Sequence, residues 1–403
     1  MNIEAHRNNL ESICKESEAP FFYYDLDMLE AHAKELHRLP VKLWYALKAN
    51  PLSRIIKVFD EQKISFDVAS IGELDQVLAQ GVNPKNILHT GPAKSYSQLE
   101  YFLAQGVRIF VIESINQFKD LSNLVEKKNI NVKVLLRVQL VWDDQGGNVL
   151  GGGGCVTPFG LSVNDWRDFF NSAPNISNNI SIIGMHCFQW GNILCLNKLS
   201  QIWEITTKAL LDLSEAINVS LEVIDLGGGI GVPYNAEQKS ISINDLIFCF
   251  NKLKKEFPDI EYWLELGRYA VAESGVYVTK IVDRKSVNNI DLLVTDGGAQ
   301  HLVRPALTGE SFPIQLLREE SCSETNDFQI HGPLCTSLDK AGIASLPKDT
   351  GLNDYLIFKQ TGAYGFTESM PLFLCHNLPA EVIFYKGQLQ TVRQSKKASS
   401  WLM

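Results

Sequence analysis

Three groups of residues in this chain have the types and spacing to do chemistry. Lys48 stands in Trp44-Tyr45-Ala46-Leu47-Lys48-Ala49-Asn50-Pro51, where an apolar run ends in a proline-broken turn. Burial against Trp44, Tyr45 and Leu47 disfavours an ammonium, and an uncharged amine is what a Schiff base with an aldehyde requires. Taken alone, the segment better suits a solvated lysine just past a strand, and it is the residues downstream that overturn that reading. Downstream, Asp225-Leu226-Gly227-Gly228-Gly229-Ile230-Gly231 offers bare backbone amides that a phosphate can approach, although a tight turn accounts for the glycines as well. The segment does not match G-x-G-x-x-G, so a dinucleotide fingerprint is not supported. Glu265-Leu266-Gly267-Arg268 sets an acid and a base three residues apart. The carboxylate can hold a pyridine nitrogen protonated and the guanidinium suits bidentate phosphate binding; a surface ion pair is the plainer reading of that spacing.

What must position these groups is a series of eight apolar runs, most of them ending in polar or glycine-rich residues: 41–47, 64–69, 86–91, 107–113, 132–140, 180–188, 221–226 and 262–266. Amphipathic stretches such as 53–62, 72–80, 95–105 and 200–216 lie between them, so strands alternate with helices and parallel pairing follows. The pattern predicts an α/β fold, a (β/α)8 TIM barrel over residues 26–275. Catalytic groups of that architecture gather at the C-terminal strand ends. There the rule puts Lys48, Asp67, Ser70, Arg137, His186, Gly227, Gly228, Gly229, Glu265 and Arg268. After Glu273 shorter β-rich runs (276–281, 291–295, 355–358, 381–385) alternate with Gly, Pro, Ser and Asn turns. They predict a second, all-β domain of sandwich or barrel type over 276–403, which residues 1–25 join through the apolar run 20–24.

Composition agrees with two domains: 403 residues with 45% hydrophobic content are ample for sizeable cores. A net charge of −9 argues against a nucleic-acid surface. No apolar run reaches the ~18 residues of a membrane span, and no basic-then-apolar leader is present, so the chain is expected in the cytoplasm. Eight cysteines without C-x-x-C or paired-histidine spacing argue against structural zinc, a disulfide framework or any other metal site; most are expected as buried thiols.

Several further motifs, in order, carry a resemblance: Phe66-Asp67-Val68-Ala69-Ser70, Gly184-Met185-His186-Cys187, Asp296-Gly297-Gly298, Arg304-Pro305-Ala306-Leu307, Gly332-Pro333-Leu334-Cys335 and Gly362-Ala363-Tyr364-Gly365. With the three groups above, they make the chain resemble the alanine-racemase-fold (fold-type III) decarboxylases that use pyridoxal 5'-phosphate, the family of ornithine, arginine and diaminopimelate decarboxylases, from Pro20 to Tyr385. The resemblance implies that Lys48 holds the cofactor aldehyde, that Glu265 pairs with the pyridine nitrogen, and that the phosphate lies on Gly227 to Gly229 with Arg268 and the Tyr364 hydroxyl. Asp67 and Ser70 support Lys48 and the ring, and His186 belongs to the same cofactor set. Cys335 is implied to reach into the partner subunit's site of a homodimer and return a proton to the substrate carbon.

Departures from the family pattern bear on the substrate. Where relatives place an acid for a distal ammonium, this chain has Thr336, with Asp339 following, and a neutral hydroxyl does not offset the burial of an ammonium. Where an imidazole usually stacks on the ring stands Phe188, or Gln189 if the register slips by one. The loop 142–157 is where substrate differences are expected. The chain looks most like family members of secondary metabolism, which decarboxylate an amino acid joined to a carrier or to a siderophore-type intermediate, with Arg304 holding a carboxylate of such a conjugate. Diaminopimelate decarboxylation and racemisation on the same fold are the competing readings. A relative that only binds cofactor is expected to lack Lys48 or Cys335, and both are present.

Overall fold

The computed structural model describes residues 1–16, 20–141, 156–318 and 322–401. The expected substrate loop, apart from Val156 and Thr157, lies outside the described residues. Eight parallel strands close on themselves: β1 (Lys42–Ala46), β2 (Ser65–Val68), β3 (Ile87–His89), β4 (Ile109–Ile112), β5 (Val132–Gln139), β6 (Ile180–His186), β7 (Val223–Asp225) and β8 (Glu261–Leu266). The ring closes where β8 pairs with β1 and β4 with β5. The (β/α)8 barrel read from the apolar runs is therefore the observed fold, with each strand end within two residues of the run that foretold it.

Alternation along the strands sorts the barrel interior into layers. Trp44, Leu88, Val111, Leu135, Ile183, Val223 and Trp263, one from each of seven strands, pack into an apolar plug. Two residues further along, on the same strand face, come Arg137, Asp225 and Glu265. Residues of one face lie two apart, so the plug fixes the height at which this polar layer emerges. The helices that follow are started by serines: Ser70, Ser95, Ser114, Ser162 and Ser242 each accept a hydrogen bond from the backbone N–H three residues on.

The chain divides into two compact units. The barrel unit is His32–Gly231 with Ser240–Gly267; the other is Met1–Ala31, Val232–Lys239 and Arg268–Met403. Residues 26–31 and 268–275, expected in the barrel, thus cluster with the sheet unit. The reason is local: Tyr24 pairs with Gly275, and a Cβ on Gly275 would meet the Gly362 Cα at 2.5 Å. In the sheet unit Phe21–Asp25 lies between Gly275–Val287, antiparallel, and Ala380–Tyr385, parallel. A helix not read from the sequence, Ile3–Glu16, lays Ile3, Leu10 and Ile13 on that sheet's core with Phe21, Tyr23, Val276, Val278 and Val382. Of the seven described cysteines only Cys187 and Cys249 are buried, so most are not the buried thiols expected.

Candidate active site

In the barrel unit the first strand ends in a 3-10 turn, Leu47–Ala49. Leu47 and Ala49 are buried and Lys48 between them is exposed, which corrects the expectation of a lysine buried against its aromatic neighbours. Its Nζ lies 6.0 Å from the Phe188 ring centroid. Phe188 backs onto the glycine turn: a Cβ on Gly227 would meet the Phe188 Cβ at 2.4 Å. Gln189 is turned away, its amide donating to the Leu140 carbonyl at 2.6 Å and accepting from the Leu140 N–H at 2.9 Å. Of the two candidates for the ring-stacking position, Phe188 is the one that faces Lys48 and the turn.

The glycine turn is demanded by its own packing. Gly227 and Gly229 have φ of 63° and 96°, and a Cβ on Gly228 would meet the Glu265 carbonyl oxygen at 2.5 Å. Glu265 N–H donates to the Gly227 carbonyl at 2.7 Å, and Gly227 N–H to Asp225 Oδ1 at 2.9 Å. The turn is thereby bound to the acid beside it.

Three carboxyls share the barrel mouth, and all are buried: Asp67, Asp225 and Glu265. Burial and then the Glu265 charge push both aspartic acids well above the usual carboxylate range, with the Thr90 hydroxyl, 2.5 Å away, opposing this at Asp67. Burial acts upward on Glu265 too, but the groups facing it, His186 and then Lys48 and Arg137, outweigh it and hold the carboxyl below the usual carboxylate range. Two unit charges ~5 Å apart cost on the order of 3 kcal/mol at an effective dielectric near 20, so one ionised carboxyl of the three is the stable state. His186 Nε2 lies 3.4 Å from Glu265 Oε1. Burial depresses the imidazole pKa despite that neighbour, leaving it neutral at pH 7. A neutral imidazole lends no charge, so Lys48 and Arg137 are the cations that keep Glu265 ionised.

Arg137 itself pairs with Glu113 at 3.1 Å and lies 4.7 Å from the Phe159 ring centroid. Ser70 is exposed and its hydroxyl accepts from Glu73 N–H, which caps the helix that follows β2. Lys94, Glu113, Thr90 and Asp225 were not assigned roles from sequence. Lys94, Glu113 and Thr90 are buried polar side chains with partners from another segment, for which local spacing gives no signal, while Asp225 bonds within its own turn and is buried against the acids of other strands.

The sheet unit holds the remaining residues. Arg268 opens a short helix; its guanidinium lies 4.6 Å from the Tyr364 ring centroid and donates to the Tyr234 hydroxyl. Tyr234, also missed from sequence, lies 5.8 Å from the Arg304 guanidinium. Arg304 is buried with Nε and Nη1 lacking hydrogen-bond partners among the described residues, while Nη2 reaches Glu310 at 3.5 Å. Cys335 is exposed. Thr336 Oγ1 accepts from Leu338 N–H at 3.3 Å. Asp339, expected to bind substrate, is buried with both oxygens engaged, accepting from Ala299 N–H and Leu334 N–H at 2.7 Å each. It braces the turn that carries Cys335.

The barrel mouth fits a pyridine ring and its phosphate. Glu265 Oε1 is a buried carboxylate oxygen without a hydrogen-bond donor, which a protonated ring nitrogen supplies, and the exposed Lys48 amine lies near the same mouth. A barrel with a strand-end lysine and a buried acid at its mouth is the setting of an enzyme that works through an aldehyde cofactor. The chain belongs to the pyridoxal-dependent decarboxylases: the family model for their pyridoxal binding domain matches residues 27–272. It is an enzyme of that family, and its cofactor is pyridoxal 5'-phosphate. It is 28% identical over 420 residues to the L-glutamyl-[BtrI acyl-carrier protein] decarboxylase of Niallia circulans, covering 99% of this chain and 96% of that protein. It is 29% identical to the 2-[(L-alanin-3-ylcarbamoyl)methyl]-2-hydroxybutanedioate decarboxylase of Staphylococcus aureus, over 89% of this chain and 92% of that one. The diaminopimelate decarboxylase of Campylobacter jejuni is 25% identical over 94% of both. In fold the chain resembles diaminopimelate decarboxylase from Helicobacter pylori complexed with L-lysine, with a TM-score of 0.86, 23% identity and coverage of 97% and 98%. Among the described residues no helix is long and apolar enough to cross a membrane.

Proposed function

We propose that this enzyme removes the α-carboxylate of an amino acid held in a larger, carboxylate-bearing conjugate, of the siderophore or other secondary-metabolite kind, and that it works as a cytoplasmic homodimer. The observation that carries the reading is Arg304: a buried guanidinium with two donors unspent calls for an anion. Thr336 supports it, because a neutral hydroxyl in the place of an acid offers no charge to a distal ammonium. The names of two relatives point the same way, one acting on an L-glutamyl carrier protein and the other on an amide-linked hydroxybutanedioate.

When bound, pyridoxal phosphate supplies the electron sink for the charge left as carbon dioxide departs. This chain's residues do the rest in the proposed roles. Lys48 Nζ holds the aldehyde, ionised Glu265 keeps the ring nitrogen protonated, and Phe188 covers one ring face. The amides of Gly227 to Gly229 bind phosphate, as do Arg268 and Tyr364, and Cys335 returns the proton to the substrate carbon.

The test is carbon dioxide release from a panel of free diamino acids, including diaminopimelate, and of amino acids linked to citrate-like acids or to a carrier protein. Conjugates should exceed free diaminopimelate in kcat/KM by at least about a hundredfold. Arg304→Ala should remove that preference and leave cofactor absorbance intact. Efficient turnover of free diaminopimelate, at about 10⁴ M⁻¹s⁻¹ or above, assigns the chain to lysine formation instead. Racemised product without carbon dioxide would overturn the decarboxylase role.

A further inference from the structure

We propose that Asp225 is a positioning residue for Glu265: it keeps its proton, donates a hydrogen bond through it to the Glu265 carboxylate, and through the Gly227 amide ties the glycine turn to the same acid. The inference deepens the reading of Glu265 as partner of the ring nitrogen and rests on it. Asp225 is the last residue of β7 and is fully buried. Its Oδ1 is spent on Gly227 N–H, while its buried Oδ2, like Glu265 Oε1, has no hydrogen-bond partner among the described residues. Asp225, Glu265 and His186 each bring one polar atom within 4.8 Å of the others.

Two buried carboxylates in one cluster are stabilised by a single proton held between them, and Glu265, with two oxygens that each accept twice, can take that hydrogen bond and one from a ring nitrogen as well. Which residue keeps the proton follows from the surroundings. Glu265 faces Lys48 and Arg137, cations from β1's turn and from β5, as well as His186. Asp225 faces the carboxyls of Glu265 and Asp67. The charge therefore belongs on Glu265 and the proton on Asp225. Because Glu265 N–H in turn donates to the Gly227 carbonyl at 2.7 Å, acid, aspartic acid and phosphate turn form one closed hydrogen-bonded unit.

The experiment titrates cofactor-free protein with pyridoxal phosphate, following absorbance and intrinsic fluorescence to obtain Kd. Asp225→Ala should raise Kd by about tenfold or more, the loss expected when a buried partner goes unpaired. Asp225→Asn, which can still accept from Gly227 and donate to Glu265, should restore it to within about threefold of wild type. In a Glu265→Ala background Asp225→Ala should cost markedly less than in wild type, leaving only the loss of the Gly227 N–H bond. An Asp225→Asn as damaged as Asp225→Ala, or an undiminished Asp225→Ala effect without Glu265, overturns the proposal. Infrared spectra of the cofactor-free protein give a measure independent of the alanine variant: the carboxylic-acid carbonyl band, to which Asp67 also contributes, should lose intensity in Asp225→Asn and lose the same increment beyond that in the Asp67→Asn double variant, and an undiminished band in Asp225→Asn refutes the protonation. If Glu265→Ala keeps wild-type Kd and absorbance, the ring-nitrogen role of Glu265 falls, while the infrared result still judges Asp225. A melting temperature raised by zinc in wild type but not in Asp225→Asn would make the cluster a metal site and overturn the proposal.

Discussion

Asp339→Ala separates a brace from a substrate ligand. The wild-type carboxylate accepts two 2.7 Å hydrogen bonds, from Ala299 N–H and Leu334 N–H. Its own backbone closes the same loop, with Gly332 N–H donating to the Asp339 carbonyl at 3.1 Å and Asp339 N–H to the Thr336 carbonyl at 3.2 Å. The carboxylate fills the space beside two glycines, since a Cβ on Gly298 or Gly332 would lie 2.3 or 2.4 Å from its oxygens. Alanine leaves both amides buried without an acceptor. At about 1 to 3 kcal/mol for each unsatisfied group the loss is about 2 to 6 kcal/mol. At roughly 2 to 4 °C per kcal/mol for a unit of this size, the sheet unit should melt some ~5 to 20 °C lower. Asp339→Asn, which retains one acceptor oxygen, should lose about half as much. Scanning fluorimetry reads the shift, and steady-state kinetics read its consequence: kcat should fall as the Cys335 turn loosens, with KM less affected. An Asp339→Ala protein that melts within about 1 °C of wild type while KM rises tenfold would refute the brace and return Asp339 to the substrate.

Three further outcomes are expected. Gly227→Ala must place a Cβ at 2.4 Å from Phe188 with φ at 63°; urea unfolding should show a loss of about 2 kcal/mol or more and cofactor should bind more weakly, and an unchanged midpoint would contradict the packing. His301 sits buried with its pKa lowered from 6.5 to about 4, chiefly by burial, so the unfolded chain binds its proton first. Stability is thus lost as pH falls from 6.5 towards 4, by up to ~3 kcal/mol, and the urea midpoint of His301→Gln should fall less steeply over that window than that of wild type. Lys48→Ala and Cys335→Ala, each nearly inactive, should recover about a quarter of wild-type activity when mixed and allowed to exchange subunits; no recovery with demonstrated exchange would show that Cys335 does not serve a partner's site.

The barrel was legible because its strands are short apolar runs at regular intervals, and chemistry at their C-terminal ends follows from the architecture. Lys48 and Glu265 could be found that way, since each ends or follows an apolar strand. The helix Ile3–Glu16 was equally readable in principle: Ile3, His6, Leu10 and Ile13 recur at three- and four-residue steps and are its buried face. The strands Thr325–His331 and Lys340–Pro347 were not, because polar and charged residues interrupt both and their burial depends on neighbours far away in sequence. The same holds for buried polar partners. Lys94 pairs with Glu113 and Glu113 with Arg137 across three successive strand ends, so no window of sequence contains the network.

Composition cannot show how many charges a site carries, and here that number governs the chemistry. Asp67, Asp225 and Glu265 read as three acids in the sequence. Brought to one barrel mouth and buried, they stay close to a single negative charge, kept on Glu265 by Lys48 and Arg137. A ring nitrogen that must remain protonated needs an ionised acid at its own position and no competing anion beside it. The layer spacing of the barrel meets both needs. Glu265 stands one layer above the Trp44–Trp263 plug, whose ring centroids lie 5.0 Å apart, and its neighbours in that layer are neutral acids and a neutral imidazole. A one-residue register slip in β8 would turn Glu265 out of the barrel and put Leu264 or Leu266 in its place. The apolar plug and the electron-sink chemistry are therefore fixed by the same alternation.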